Sequence, residues 1–105
     1  MTNPSTSPEN QYVLNGVRAH LTYAATMDIA LVRELFANCA QAADELRVDA
    51  GFRAELRRTA ERLPPLQIGA RGQLQEWIED YPEAEPAHRH VSHLYSLFPG
   101  RGISI

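Results

Sequence analysis

Residues 26–47 read TMDIALVRELFANCAQAADELR. Apolar side chains return at Ile29, Val32, Phe36, Cys39, Ala43 and Leu46, in steps of three and four, the period of a helix with a buried face. Asp28 stands near the start, where the helix dipole favours a negative charge. The spacing predicts a helix over 27–47. Leu31, Val32, Leu35 and Phe36 make the apolar face wider than one partner helix covers. A helix of this kind packs on two sides, and left uncovered it predicts self-association or loose packing at one end of the chain.

The chain on either side is punctuated by turn formers. Asp49 is placed to cap a second helix from Ala50 to Leu63, with Phe52, Leu56, Ala60 and Leu63 inward. Pro64-Pro65 stops it, because neither ring allows a helix to continue. The short Val48-Asp49 joint makes the two helices an antiparallel or angled pair. Upstream, Asn3 to Asn10 is built of turn residues stiffened by Pro4 and Pro8. Tyr12-Val13-Leu14, Asn15-Gly16 and the run from Val17 read as a β-hairpin, since both turn residues tolerate positive φ. Residues 67–72 read as a loop or a hairpin, 73–78 as one helical turn or a short strand, and 79–86 as an acidic, proline-bounded loop. A last helix is predicted over 89–97 and ends at Pro99-Gly100. The fold class is mainly α, with a short β-hairpin near the N-terminus. Val32, Leu35, Phe36, Cys39, Phe52, Leu56, Trp77, Leu94 and Phe98 are the predicted core.

Composition narrows the function. With 105 residues the chain makes one small domain or segment. Its net charge of −3 does not fit a phosphate-binding surface, so no nucleic acid is expected as partner. No apolar run approaches the roughly 18 residues of a membrane span, so no membrane is expected either. Cys39 is the single cysteine, which excludes an internal disulfide framework. Residues 1–10 lack the basic start and apolar stretch of a signal peptide, which leaves localisation open.

Three places carry candidate chemistry. His88-Arg89-His90-Val91-Ser92-His93 puts three imidazoles within six residues. On a helix His90 and His93 share a face and His88 lies aside, so a metal site, a polar substrate pocket and surface histidines all remain open. Glu76 beside Trp77 offers a carboxylate with an aromatic platform of the kind that holds a sugar ring, or simply a core tryptophan with a surface glutamate. Glu9, in Ser7-Pro8-Glu9-Asn10, sits on stiffened backbone, where acid/base carboxylates are held, although an exposed turn glutamate is the plainer reading. Cys39 falls on an apolar helix face and reads as a small hydrophobe.

In order along the chain, five motifs occur together. They are Pro4 to Asn10; Thr26-Met27-Asp28; Leu63-Pro64-Pro65 with Gln67-Ile68-Gly69; Gly72 to Asp80; and His88 to Tyr95 with Leu97-Phe98-Pro99-Gly100. On these the chain resembles, over essentially all its residues, the catalytic domain of glycoside hydrolase family 95, the inverting α-L-fucosidases. The resemblance implies a segment of an (α/α)6 barrel several times longer, with residues 1–105 as one partial-barrel unit. It implies hydrolysis of terminal α-L-fucosyl or L-galactosyl linkages with inversion, a fucosylated oligosaccharide as substrate, and no metal or organic cofactor. Glu9 takes the place of the general acid. His88 or His90, with His90 favoured, takes that of a histidine touching the sugar, and Glu76 and Trp77 are candidate substrate contacts. The family's base machinery, asparagines polarised by an aspartate, lies in motifs not found here. Asn10 and Asn15 do not stand in the asparagine motif. Enzymes of this family are usually secreted or periplasmic.

The reading is therefore a fucosidase-type segment holding the acid but not the base, inactive as an isolated chain. Its rivals are a non-catalytic helical module left by gene truncation and acting through association, and a small metal-binding protein using the three histidines.

Overall fold

In a computed structural model that describes residues 1–104, the chain orders as β1 (Tyr12–Leu14), β2 (Val17–Ala19), α1 (Thr26–Leu46), α2 (Ala50–Glu61) and a 3-10 helix (Ser92–Ser96). No helix among the described residues is long and apolar enough to cross a membrane. The hairpin forms where Asn15-Gly16 predicts it. Both turn residues have positive φ, 51° and 77°, the geometry whose twist matches that of the strands it joins. Tyr12 pairs with Ala19, Val13 with Arg18 and Leu14 with Val17. The free edge of β1 is covered by the acidic loop, through Val13 N–H to Pro82 O at 2.8 Å and Ala84 N–H to Gln11 O at 2.8 Å. Ser5 and Thr22 exchange a pair of backbone bonds at 2.9 Å, so the first residues fold back on the strand that leads into α1.

α1 begins without a side-chain cap. Instead Ser5 ties it down from outside: its hydroxyl accepts Ala25 N–H at 2.9 Å and donates to Asp28 Oδ2 at 2.6 Å. Asp28 is in the first turn, as the dipole favours. At the other end Arg47 is left-handed, with φ 56°. Its N–H reaches Asp44 O at 3.2 Å and Val48 N–H reaches Ala43 O at 3.1 Å, the paired bonds of a Schellman close. Asp49 stands at the N-cap position of α2 but is left-handed too, φ 50°, and its side chain makes no cap bond, contrary to the predicted role. α2 returns along α1. Arg33, near the start of α1, donates to the carbonyls of Leu63 at 3.1 Å and Pro64 at 2.8 Å, past the end of α2. Asp44, near the end of α1, pairs with Arg53 and Arg57. The pair is antiparallel.

The predicted core needs correction. Leu56 and Trp77 are buried; Val32, Phe36 and Cys39 are only half-buried, while Leu94 is exposed. Leu35 is 57% exposed, Phe52 55% and Phe98 83%. The buried positions on α1 are Ile29, Ala30, Ala40 and Ala43. Where the helices meet, α1 offers mainly small side chains, Ala40 and Ala43, against Leu56 of α2, with Phe36 half-buried beside them, while Leu31, Leu35 and Phe52 stay exposed. The second buried cluster is aromatic: Tyr12 stacks on Tyr81 with centroids 4.2 Å apart and meets Trp77 edge-on at 5.4 Å.

The last helix is also shorter and tighter than predicted. A 3-10 turn covers only Ser92–Ser96, and residues 88–91 are irregular. His90 N–H, which would have no carbonyl partner in the first turn of a helix begun at 89, donates to the ring of His88 at 3.2 Å. The segment that follows is tied to distant residues instead, Ser92 to Ser7 and Tyr95 to Glu34. Ile68 and Leu74 form an isolated bridge with a tight turn between them, so residues 67–75 follow the hairpin reading rather than the helical one. The chain is mainly helical with an N-terminal two-stranded hairpin, as predicted, and consistent with part of an (α/α)6 barrel.

Candidate active site

The Ser7–Asn10 turn, the Gln75–Trp77 strap and the His88–His93 segment meet at the amino-terminal end of α1. The strap is fixed there first: Thr26 N–H donates to Glu76 O at 3.1 Å, and Thr26 Oγ1 donates to Gln75 O at 2.6 Å. Trp77 locks the strap from below. Its ring is 2% exposed, sits against Tyr12 and turns no face outward.

Glu76 is 5% exposed, and its carboxylate is the hub of a buried polar network. Ser7 donates to Oε1 at 2.5 Å and Asn10 Nδ2 donates to Oε2 at 2.8 Å. Ser7 and Asn10 are both buried. The Ser92 hydroxyl is 2.5 Å from that of Ser7. Ser7 spends its one proton on Glu76, so Ser92 is the donor in this second contact. His93 Nδ1 lies 3.7 Å from Glu76 Oε2, too far for a hydrogen bond. A buried carboxylate is tolerated only when its lone pairs are taken, and here neutral donors take them on both oxygens.

Above this layer Glu9 points into solvent, its side chain 65% exposed. Arg89 Nη2 donates to Oε2 at 2.9 Å, and His90 Nδ1 is 3.4 Å from the same oxygen. His90 Nε2 accepts from Arg89 Nε at 3.2 Å, so the neutral ring carries its proton on Nδ1, facing Glu9. His88 meets His90 edge-on with centroids 5.3 Å apart. Pro8 is the ridge between two shallow grooves of about 420 Å³ each. One is lined by Met27, Arg89, His90, Val91 and Ser92 among others, and the second by Glu9, Asn10, Gln11 and His20 among others. A larger groove, about 720 Å³, lies between α1, Pro64–Leu66 and Arg101–Gly102 and touches none of the predicted site residues.

Glu9, His88 and His90 thus come together at one surface, from opposite ends of the chain. Glu76 and Trp77 lie beneath that surface. Among the described residues no three His, Cys, Asp or Glu side chains converge in a way that could hold a metal ion. Sequence reasoning missed Ser7, Ser92 and the amide of Asn10 as members of the network. The only signal available was their position beside Glu9 and His90 in the two densest motifs.

Comparison with known proteins adds the following. The model of the glycosyl hydrolase family 95 catalytic domain matches residues 1–105. Over 106 residues the chain is 41% identical to Alpha-L-fucosidase 2 of Arabidopsis thaliana, covering 99% of this chain and 13% of that protein. It is 33% identical over 109 residues to Probable alpha-fucosidase A of Aspergillus niger, covering 99% of this chain and 13% of that one. With Probable alpha-fucosidase A of Aspergillus oryzae it shares 30% over 110 residues, 99% and 14% of the two chains. The chain spans about an eighth of the length of these curated relatives.

Proposed function

Because the chain belongs to the glycosyl hydrolase family 95 catalytic domain, we propose that it is the acid-bearing part of an α-L-fucosidase. The whole enzyme hydrolyses terminal α-L-fucosyl or L-galactosyl linkages of an oligosaccharide with inversion. Inversion needs one carboxylic acid to protonate the leaving oxygen and a separate base to deprotonate water on the opposite face of the sugar. Glu9 is the acid. His90 holds the sugar beside it, with His88 behind, and the base belongs to the remainder of the catalytic domain. Glu76 and Trp77 lie buried beneath these residues and support them without meeting the sugar.

The observation that carries this reading is the 3.4 Å approach of His90 Nδ1 to the Glu9 carboxylate across 81 positions of sequence, on the ridge between two open grooves. A carboxyl that must meet a sugar oxygen has to be accessible, and Glu9 is. Its backbone is held by Pro8 and by the Asn10 N–H to Ser7 O bond at 3.0 Å, so the side chain is presented from a rigid turn.

The test is to graft residues 1–105 into the Arabidopsis relative in place of its matched segment and to compare Glu9→Gln with the parent graft. On 2′-fucosyllactose the variant should lose about 10²–10⁴-fold in kcat/KM, the range of a missing general acid. On α-L-fucosyl fluoride, whose leaving group needs no proton, the loss should be much smaller. Proton NMR of the parent reaction should show β-L-fucose as the first-formed anomer. Full activity of Glu9→Gln on 2′-fucosyllactose overturns the assignment.

A further inference from the structure

We propose that Glu76 is a positioning residue: its buried carboxylate sets the Glu9 turn in register with the His90 segment. The inference rests on the reading of Glu9 as the acid and adds a residue that acts through it without touching substrate.

The argument begins from spacing. Ser7 and Asn10 flank Pro8-Glu9, and each gives a side-chain proton to a different oxygen of the one carboxylate, at 2.5 and 2.8 Å. The two residues that carry the acid therefore hang between two anchors on a single rigid group. The Asn10 amide cannot turn over, because Oδ1 accepts Gln11 N–H at 2.8 Å and leaves only Nδ2 for Glu76. The Ser7 oxygen that donates to Glu76 also accepts from Ser92, two residues after His90, at 2.5 Å. One carboxylate thus fixes both walls of the proposed site. Its own backbone is pinned to the start of α1 by Thr26, so the register is referred to the most regular element of the fold.

The alternative tether is the outer layer, Glu9 with Arg89 and His90. Arg89 is 73% exposed at its side chain, and pairs of that kind contribute little. They hold Glu9 where the turn has already put it. A short, charge-assisted, water-excluded bond is stronger and more directional.

This arrangement makes an atom-level prediction. Glu76→Gln keeps an acceptor for Ser7 but sets an amide NH2 against the NH2 of Asn10, donor against donor. Adding Asn10→Asp reverses both partners: the introduced amide then donates to the introduced carboxylate, whose other oxygen still accepts from Gln11. The single variant should release the turn and the pair should restore it.

Two measurements test this. In the isolated chain, Glu76→Gln should move the backbone amide NMR signals of residues 7–11 and 88–93 together while those of 50–61 stay, and the Asn10→Asp/Glu76→Gln pair should return them. In the graft, Glu76→Gln should cost up to about 100-fold on 2′-fucosyllactose, the scale of an ångström-sized misplacement of a catalytic group, and far less on α-L-fucosyl fluoride. The pair should recover most of the loss. General loss of structure would lower both substrates alike. Ser7→Ala, which removes one donor and no charge, supplies a second variant should Glu76→Gln not fold. An equal loss on both substrates from whichever variant folds, or a folded double variant with no recovery, overturns the proposal. If Glu9→Gln shows no leaving-group dependence while the NMR signals behave as expected, the acid assignment fails and the clamp stands as structure alone.

Discussion

Arg33 Nη2 lies 2.8 Å from the carbonyl oxygen of Pro64, joining the first third of one helix to the residues just past the end of the next. The same nitrogen meets Leu63 O at 3.1 Å, and Nη1 is 3.4 Å from Ala60 O. Two carbonyls just past the end of α2, and more distantly that of Ala60, which also accepts Leu63 N–H, are gathered by a single planar cation. Pro64 has no N–H to give to Ala60 O four residues back, so the helical ladder stops there.

Arg33→Ala should therefore destabilise the chain by about 1–3 kcal/mol, the range for hydrogen bonds to a charged group. Arg33→Lys should recover only part of that, since an ammonium cannot present the same fork. Urea unfolding followed by circular dichroism measures both. Equal stabilities for all three proteins would contradict the capping role.

Tyr95 donates to Glu34 Oε2 at 3.0 Å and so holds the 3-10 helix against α1. That bond, then burial, then the charge of Glu34 keep the phenol ionising above its ordinary value. Tyr81 is raised as well, first by burial and then by Tyr12 and Glu79. For Tyr95 the protonated form makes the contact and the folded value is the higher one. The contact is thus fully present below the ordinary tyrosine value of about 10, and is lost as pH rises through the folded value. In an absorbance titration at alkaline pH, Glu34→Gln should bring one tyrosine back toward the ordinary range and leave Tyr81 where it was. An unchanged titration would show that Glu34 does not act on Tyr95.

Much of this structure was legible from local pattern, and the exceptions have physical reasons. The two long helices follow the three-and-four spacing of Ile29 to Leu46 and of Phe52 to Leu63. The hairpin follows Asn15-Gly16. Period identifies a face but does not say which residues on it will be covered. Small Ala40 and Ala43 are buried where the helices meet, while Leu35 and Phe52 are not. The expected helix at 89–97 shrank to Ser92–Ser96, where Ser92 and Tyr95 bond to Ser7 and Glu34 far away in sequence, contacts invisible to apolar spacing. At the candidate site, Glu9 and His90 could be named from their motifs. The burial of Glu76 could not, because it depends on donors 66 and 69 positions away.

Arg47 closes α1 in a left-handed conformation that the handed Cβ of an ordinary residue resists, and among the described residues its side chain has no hydrogen-bond or ion-pair partner. Glycine suits such a position. Arg47→Gly should stabilise the chain by up to about 1 kcal/mol, the relief of left-handed strain less the extra freedom of an unfolded glycine. Differential scanning calorimetry would register it as a rise in Tm. A fall would mean that the arginine side chain contributes something the Schellman close does not need.

The last prediction concerns the outer face of the helical pair. Leu31, Leu35 and Phe52 are all exposed, and Phe98 is the most exposed of the large apolar side chains at 83%. Apolar surface costs roughly 25 cal/mol for each Å² left in water, so covering a few hundred Å² is worth several kcal/mol before the entropic cost of association. Monomers rarely leave such areas bare. The isolated chain is therefore expected to self-associate as its concentration rises and to bind a hydrophobic dye while it does. Leu35→Glu with Phe98→Ser should weaken both effects, because one change puts a charge one turn from Leu31 on the exposed side of α1 and the other removes the most exposed large apolar side chain. Neither side chain is buried, so the substitutions should leave the helical content intact. Sedimentation velocity over a hundredfold concentration series, with dye fluorescence on the same samples, is the measurement. A monomer at every concentration with no dye signal would mean that the segment needs no cover for this face.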